Sequence, residues 1–167
     1  LAADYVDLDY SRLTFAGGTT QSVQLSDATP LRNVDSDFFN PTGNASATLW
    51  LNGTVAQTID ANALRMPKLR LSGSVKTVGS ASQFILYGDL TVDSGATFNA
   101  ATNNPTVYAY ANLVLNGTFQ SGTGWWRFDG SLPQTISAAA SVRNMVLNNP
   151  QGLTIGGNLT VGSATDG

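Results

Sequence analysis

All eleven carboxylate side chains of this chain are aspartates, and the residues around them decide what chemistry they could do. Asp89 and Asp93 flank the alternating triplet Leu90-Thr91-Val92. If Leu90 and Val92 turn inward, Asp89, Thr91 and Asp93 turn outward together. Two carboxylates four residues apart on an extended strand are about 13 Å apart. Glycosidases hold their carboxylates at about 5–9.5 Å. Asp89 and Asp93 therefore do not make a catalytic pair alone; one of them would need a partner from a neighbouring segment, such as Asp129. The chain has no His and no Cys. That removes a Ser-His-Asp triad, a Cys nucleophile, a His or Cys zinc site and any disulfide. No catalytic residue is assigned, and the chain reads as a non-enzyme.

A second acidic cluster, Asp4, Asp7 and Asp9, bears on Ca²⁺, as does the pair Asp35 and Asp37. Ca²⁺ takes six to eight oxygens, often from Asp and backbone carbonyls. Neither cluster has EF-hand spacing, and the nonapeptide of Ca²⁺-binding β-rolls is absent. The expectation is no cofactor, with Ca²⁺ on Asp4, Asp7 and Asp9 as the alternative. The aromatics offer a third chemistry. With Leu49 and Leu51 inward, Trp50 points outward; Trp126 and Phe128 read as core, leaving Trp125 outward beside Arg127. Exposed Trp rings stack on sugar rings, so Trp50, Trp125 and Arg127 are the candidate contacts for a glycan or a protein partner. Trp50 and Trp125 fall in two copies of one repeat, which would place them on a common face.

The elements that carry these residues are strands. Glu is absent, Lys occurs twice (Lys68 and Lys76), and there are 19 Thr, 15 Ser, 14 Asn and 17 Gly. Strong helix formers are scarce, and β-branched and turn residues abound. Alternating triplets recur, each followed by a turn: Leu49-Trp50-Leu51 before Asn52-Gly53, Leu69-Arg70-Leu71 before Ser72-Gly73, Leu113-Val114-Leu115 before Asn116-Gly117. Alternation of period two marks a strand with one buried face, and Asn-Gly and Ser-Gly supply the positive φ of a tight turn. Leu49 to Leu69 is 20 residues, Leu69 to Leu90 is 21 and Leu90 to Leu113 is 23. A sandwich spaces its strands at 8–12 residues; a period near 20, with minor strands at Phe84 to Leu86 and Val107 to Tyr110, fits the coil of a β-solenoid.

An internal repeat supports this. Residues 51–59, LNGTVAQTI, align without a gap on residues 128–136, FDGSLPQTI; GDLTV at 88–92 matches GNLTV at 157–161. The recurring Gln57 and Gln134 read as amides that satisfy backbone groups at a corner. The chain is expected to be one all-β segment over 1–167, a right-handed parallel β-helix of about seven or eight coils. Residues 1–12 read as a cap or junction and 35–47 as an irregular loop or insertion. No capping segment follows the GNLTV strand, so the rod is expected to continue past Gly167 or to stack end to end with a neighbour.

Charge narrows the partners. Charged residues are 11% of the 167, the net charge is −3 and the sequence pI is about 4.5. That excludes the basic stripe of a nucleic-acid binder. No stretch approaches the roughly 20 apolar residues of a membrane helix.

The pattern F/L-x-G-x-x-x-Q-T-I, then L-x-L, then G-x-L-T-V-x-S-G resembles the β-solenoid repeats of large secreted bacterial surface proteins, common in Bacteroidetes-type cells. The matching residues are Leu51 to Ile59, Phe128 to Ile136, Gly88 to Gly95 and Gly157 to Ser163. The resemblance implies an extracellular or cell-surface protein with a structural or adhesive role. It implies as partners neighbouring solenoid segments, other surface proteins or surface glycans, and it carries over no catalytic residue. The alternative from another class is a carbohydrate-binding or polysaccharide-processing β-helix, including a phage tail-fibre segment.

Overall fold

A computed structural model describes residues 1–7, 21–32, 47–60, 65–80 and 82–162. The chain winds through three sides in a fixed order. The long sheet holds Ala2–Ala3, Ser22–Leu25, Thr48–Leu51, Lys68–Leu71, Leu90–Val92, Leu113–Leu115, Gln134–Ile136 and Leu153–Ile155. A four-stranded sheet follows it around each turn: Gln57–Ile59, Val75–Val78, Thr97–Asn99 and Thr118–Gln120. The third side is five-stranded: Arg65–Met66, Gln83–Leu86, Thr106–Ala109, Trp125–Phe128 and Asn144–Leu147. Two short pairs, Val6–Asp7 with Leu31–Arg32 and Ala140–Val142 with Leu159–Val161, complete the described strands. Every described strand pairing is parallel, as a solenoid requires and an antiparallel jelly roll does not.

Four coils carry a strand in each of the three sheets, and with the coils that flank them the rod makes about six turns rather than seven or eight. The higher expectation extends the period near 20 over the whole chain. In the structure the coil length varies, from 19 residues between Gln134 and Leu153 to 26 between Ser22 and Thr48.

Register explains the core. Leu25, Leu51, Leu71, Val92 and Leu115 form one inward column of the long sheet, and Val23, Leu49, Leu69, Leu90 and Leu113 the next. All ten are buried, as the alternation requires. Trp126 and Phe128 are fully buried, as the triplet reading expects. Trp126 meets Phe119 edge-on at 4.9 Å and Phe98 at 6.1 Å, an arrangement that suits the ring quadrupoles.

The turn glycines divide into two kinds. Gly73, after Ser72, has φ +85°, the left-handed conformation expected of it. The Asn-Gly turns differ: neither Gly53 nor Gly117 has positive φ. They are glycine because the backbone of the adjoining coil comes too close. A Cβ on Gly53 would lie 2.4 Å from the Ser26 carbonyl oxygen, and one on Gly117 2.4 Å from that of Ala96.

The two copies of the repeat do not occupy equivalent sides. Leu51 ends a strand of the long sheet, whereas Phe128 ends a strand of the five-stranded side. Their separation of 77 residues spans three coils and two further sides. What recurs is a corner, not a coil. The first of the 1–12 segment pairs into the rod, Ala2–Ala3 with Gln24–Leu25. Residues 8–12 and nearly all of the 35–47 segment lie outside the described residues.

Candidate functional site

The corner glutamines come first because the repeat singles them out. Gln57 accepts a bond on Oε1 from the Gly53 N–H at 3.1 Å, and its Nε2 donates to the Leu25 and Asp27 carbonyls at 3.1 and 2.7 Å. Gln134 does the same with Gly130 N–H (3.1 Å) and the Ala109 and Ala111 carbonyls (3.0 and 2.8 Å). Both are 1% exposed. They join a corner to the preceding coil and are not ligand contacts.

The outward surface of the long sheet is organised by the same register. One outward column runs Ser22, Thr48, Lys68; beside it runs Gln24, Trp50, Arg70, Thr91, Val114. Asp89, just before Leu90, extends the first column. Where these columns pass over the middle coils they line a groove of about 400 Å³. Trp50 is half-buried in it. Its indole N–H donates to Ser72 Oγ at 2.8 Å, and the Arg70 guanidinium lies 4.5 Å from its ring centre. Arg70 Nε also donates to Asp93 Oδ2 at 2.8 Å. Asp89 Oδ1 accepts from Asn112, from the backbone N–H at 3.0 Å and from Nδ2 at 2.9 Å. The two aspartates thus point to different partners on neighbouring coils. Arg70 is exposed and Asp93 is partly exposed, so the pair is screened by water and Arg70→Gln should shift stability by less than about 1 kcal/mol in a denaturant titration. A larger loss would mean that the cation on Trp50 organises the sheet.

Trp125 and Arg127 lie elsewhere. Trp125 is 49% exposed on the five-stranded side. The common face expected for Trp50 and Trp125 is therefore not formed, because the repeat is offset by one side. Arg127 Nε donates to Asp129 Oδ2 at 3.2 Å, and its guanidinium lies 5.5 Å from the Tyr108 ring in the register position before it. Tyr87 and Tyr110 stack at 4.8 Å along the adjoining corner. Burial, with Tyr87 and Asp129 close by, raises the Tyr110 phenol above its ordinary pKa. Asp129 follows Phe128 on that side and is held by Arg127, so it is not paired with Asp89.

Asp4 Oδ1 accepts from Ser26 Oγ at 3.1 Å, Asp7 sits in register with Arg32, and Asp9 lies outside the described residues, as do Asp35 and Asp37. Among the described residues no three acidic side chains come together as metal ligands.

Two lysines went unassigned in the sequence. Lys68 lines the groove, and its ammonium has no ion-pair or hydrogen-bond partner among the described residues. Its position before Leu69, in the strand Lys68–Leu71, was the available signal. Lys76 is fully buried between Gln57 and Phe98 in register. Its ammonium donates to the Gly53 carbonyl at 2.9 Å and to Ser74 Oγ at 2.8 Å. No family model, curated protein or solved structure matches the chain, so the groove and the aromatic side stand on their own geometry.

Proposed function

We propose that this chain is a structural and adhesive solenoid module of a secreted bacterial cell-surface protein, and that it acts without catalysis. One observation carries the reading. Several outward polar groups are tied between coils: Arg70 to Asp93, Asn112 to Asp89, the Thr135 N–H to Asn112 Oδ1, and Trp50 to Ser72. Such ladders tie neighbouring coils together and, among the described residues, draw Asp89 and Asp93 to different partners rather than to each other. The experiment has two readouts. Beads coated with the protein should be retained under flow by bacterial or glycan-coated surfaces more than albumin-coated beads. Incubation with polysaccharides should release no reducing ends and no unsaturated uronates. Sustained product release would sink the non-catalytic reading, and retention equal to albumin would sink the adhesive one.

The groove favours a second reading, carbohydrate binding. An indole, three hydroxyl-bearing residues (Ser22, Thr48 and Thr91) and both charge signs line one concave strip. Binding sites combine an apolar platform with a few placed polar groups in this way.

A further inference from the structure

From the groove's charge pattern we infer that it takes an anionic polysaccharide, bearing uronate carboxylates, laid along the solenoid axis; this rests on the carbohydrate reading above. Three observations carry it. The first is periodicity. Successive coils repeat at the interstrand spacing of about 4.8 Å, close to the length of one pyranose in an extended polysaccharide. Thr48, Lys68 and Asp89 follow one another at that spacing, with Trp50, Arg70 and Thr91 alongside.

The second is the state of the charges. Arg70 is already neutralised by Asp93, and Asp89 already accepts two bonds from Asn112. The Lys68 ammonium alone among the groove's charged groups has no partner among the described residues. A neutral sugar lying in the groove would strip water from that ammonium and return no charge. A uronate carboxylate would return one, and a charge-assisted bond to carboxylate is roughly twice as strong as a neutral one. The third is the platform. Trp50 is held by its bond to Ser72 and by Arg70, so its ring is oriented before any ligand arrives, and little side-chain freedom is lost on binding. In this arrangement Lys68 takes the carboxylate, Asp89 Oδ2 and the Thr91 hydroxyl take sugar hydroxyls, and Trp50 packs against a ring face.

The test is calorimetric titration of the 167-residue protein with a galacturonate hexamer and with cellohexaose, at about 20 and 200 mM salt. The expected result is tighter binding of the galacturonate hexamer by at least about tenfold at low salt, narrowing at high salt. Lys68→Met should erase the difference between the two probes by lowering the affinity for the galacturonate hexamer. Trp50→Ala should weaken both. Thermal melts of each variant report folding, and Lys68→Met, on an outward position, keeps the test valid if Trp50→Ala fails to fold. Equal affinity for the two probes, or a galacturonate preference that survives Lys68→Met, overturns the anionic assignment while leaving carbohydrate binding intact. Binding of neither probe overturns the carbohydrate reading and the inference with it.

Discussion

Gln134→Ala should lower the unfolding free energy of the solenoid by about 3–5 kcal/mol, because one amide serves four buried or half-buried groups. Its Oε1 accepts from the Gly130 N–H and from Asn149 Nδ2 at 2.8 Å, and its Nε2 donates to the carbonyls of Ala109 and Ala111. Alanine leaves the Gly130 N–H and the Ala111 carbonyl without that partner, while the Ala109 carbonyl keeps the Asp129 N–H and Asn149 Nδ2 keeps the Leu132 carbonyl; the backbone there is close, with the Tyr110 carbonyl oxygen 2.8 Å from where a Cβ on Gly130 would lie. For a chain of this size the loss should lower the midpoint of thermal unfolding by about 10 °C. Gln134→Glu is the sharper probe. A carboxylate keeps the acceptor but sets a negative charge against two carbonyls, so the folded state favours the protonated acid and raises its pKa. The variant should be most stable at acidic pH and lose stability as pH rises through that value. Circular dichroism melts of the three proteins from pH 4 to 8 would show this. A loss below about 1 kcal/mol for the alanine variant would mean that the corner does not depend on the amide.

Lys76→Met is expected to stabilise the fold. Burial lowers the Lys76 pKa from 10.5 to about 8, and no carboxylate faces it among its described partners. In the unfolded chain the lysine keeps its proton to about 10.5, so between the two values the unfolded state binds more protons and stability rises with pH. Below about pH 8 the cost of burying the ammonium is fully present. The two pKa values bound that cost at about 3 kcal/mol. Methionine fills similar space without a charge, and the Gly53 carbonyl keeps a donor in Ser74 Oγ at 3.0 Å. The variant should therefore be more stable by about 1–3 kcal/mol at pH 7 and show no rise between pH 8 and 10.5. Urea titrations across that range test both points. An unchanged pH slope, or a variant less stable than the parent at pH 7, would overturn the account.

The fold was legible because each inward Leu of the long sheet recurs once per coil, so stacking leaves its period in the sequence. Gln57 and Gln134 were legible for a related reason: a corner repeated with the same turn residues needs the same amide. What depends on register across coils was not. Lys76 lies in Val75-Lys76-Thr77-Val78, where alternation alone would admit Val75 as the inward residue; pairing with Phe98 turns Lys76 in and leaves Val75 38% exposed. The groove joins Thr48, Lys68 and Asp89, which are about a coil apart in sequence and touch only after winding. Reading two matching copies as two equivalent coils also put Trp50 and Trp125 on one face; a motif of one corner can recur on any side of a three-sided coil.

Uniform parallel pairing has a mechanical corollary. Hydrogen bonds between coils run along the rod, and the described chain enters at one end of the long sheet, at Ala2–Ala3, and reaches the other at Leu153–Ile155. Tension applied between those ends falls on one rung at a time, like a zipper, and each released coil of about 20 residues lets out about 7 nm of slack. Load applied across the rod must instead shear a whole ladder together. The same molecule is therefore compliant along its length and resistant across it.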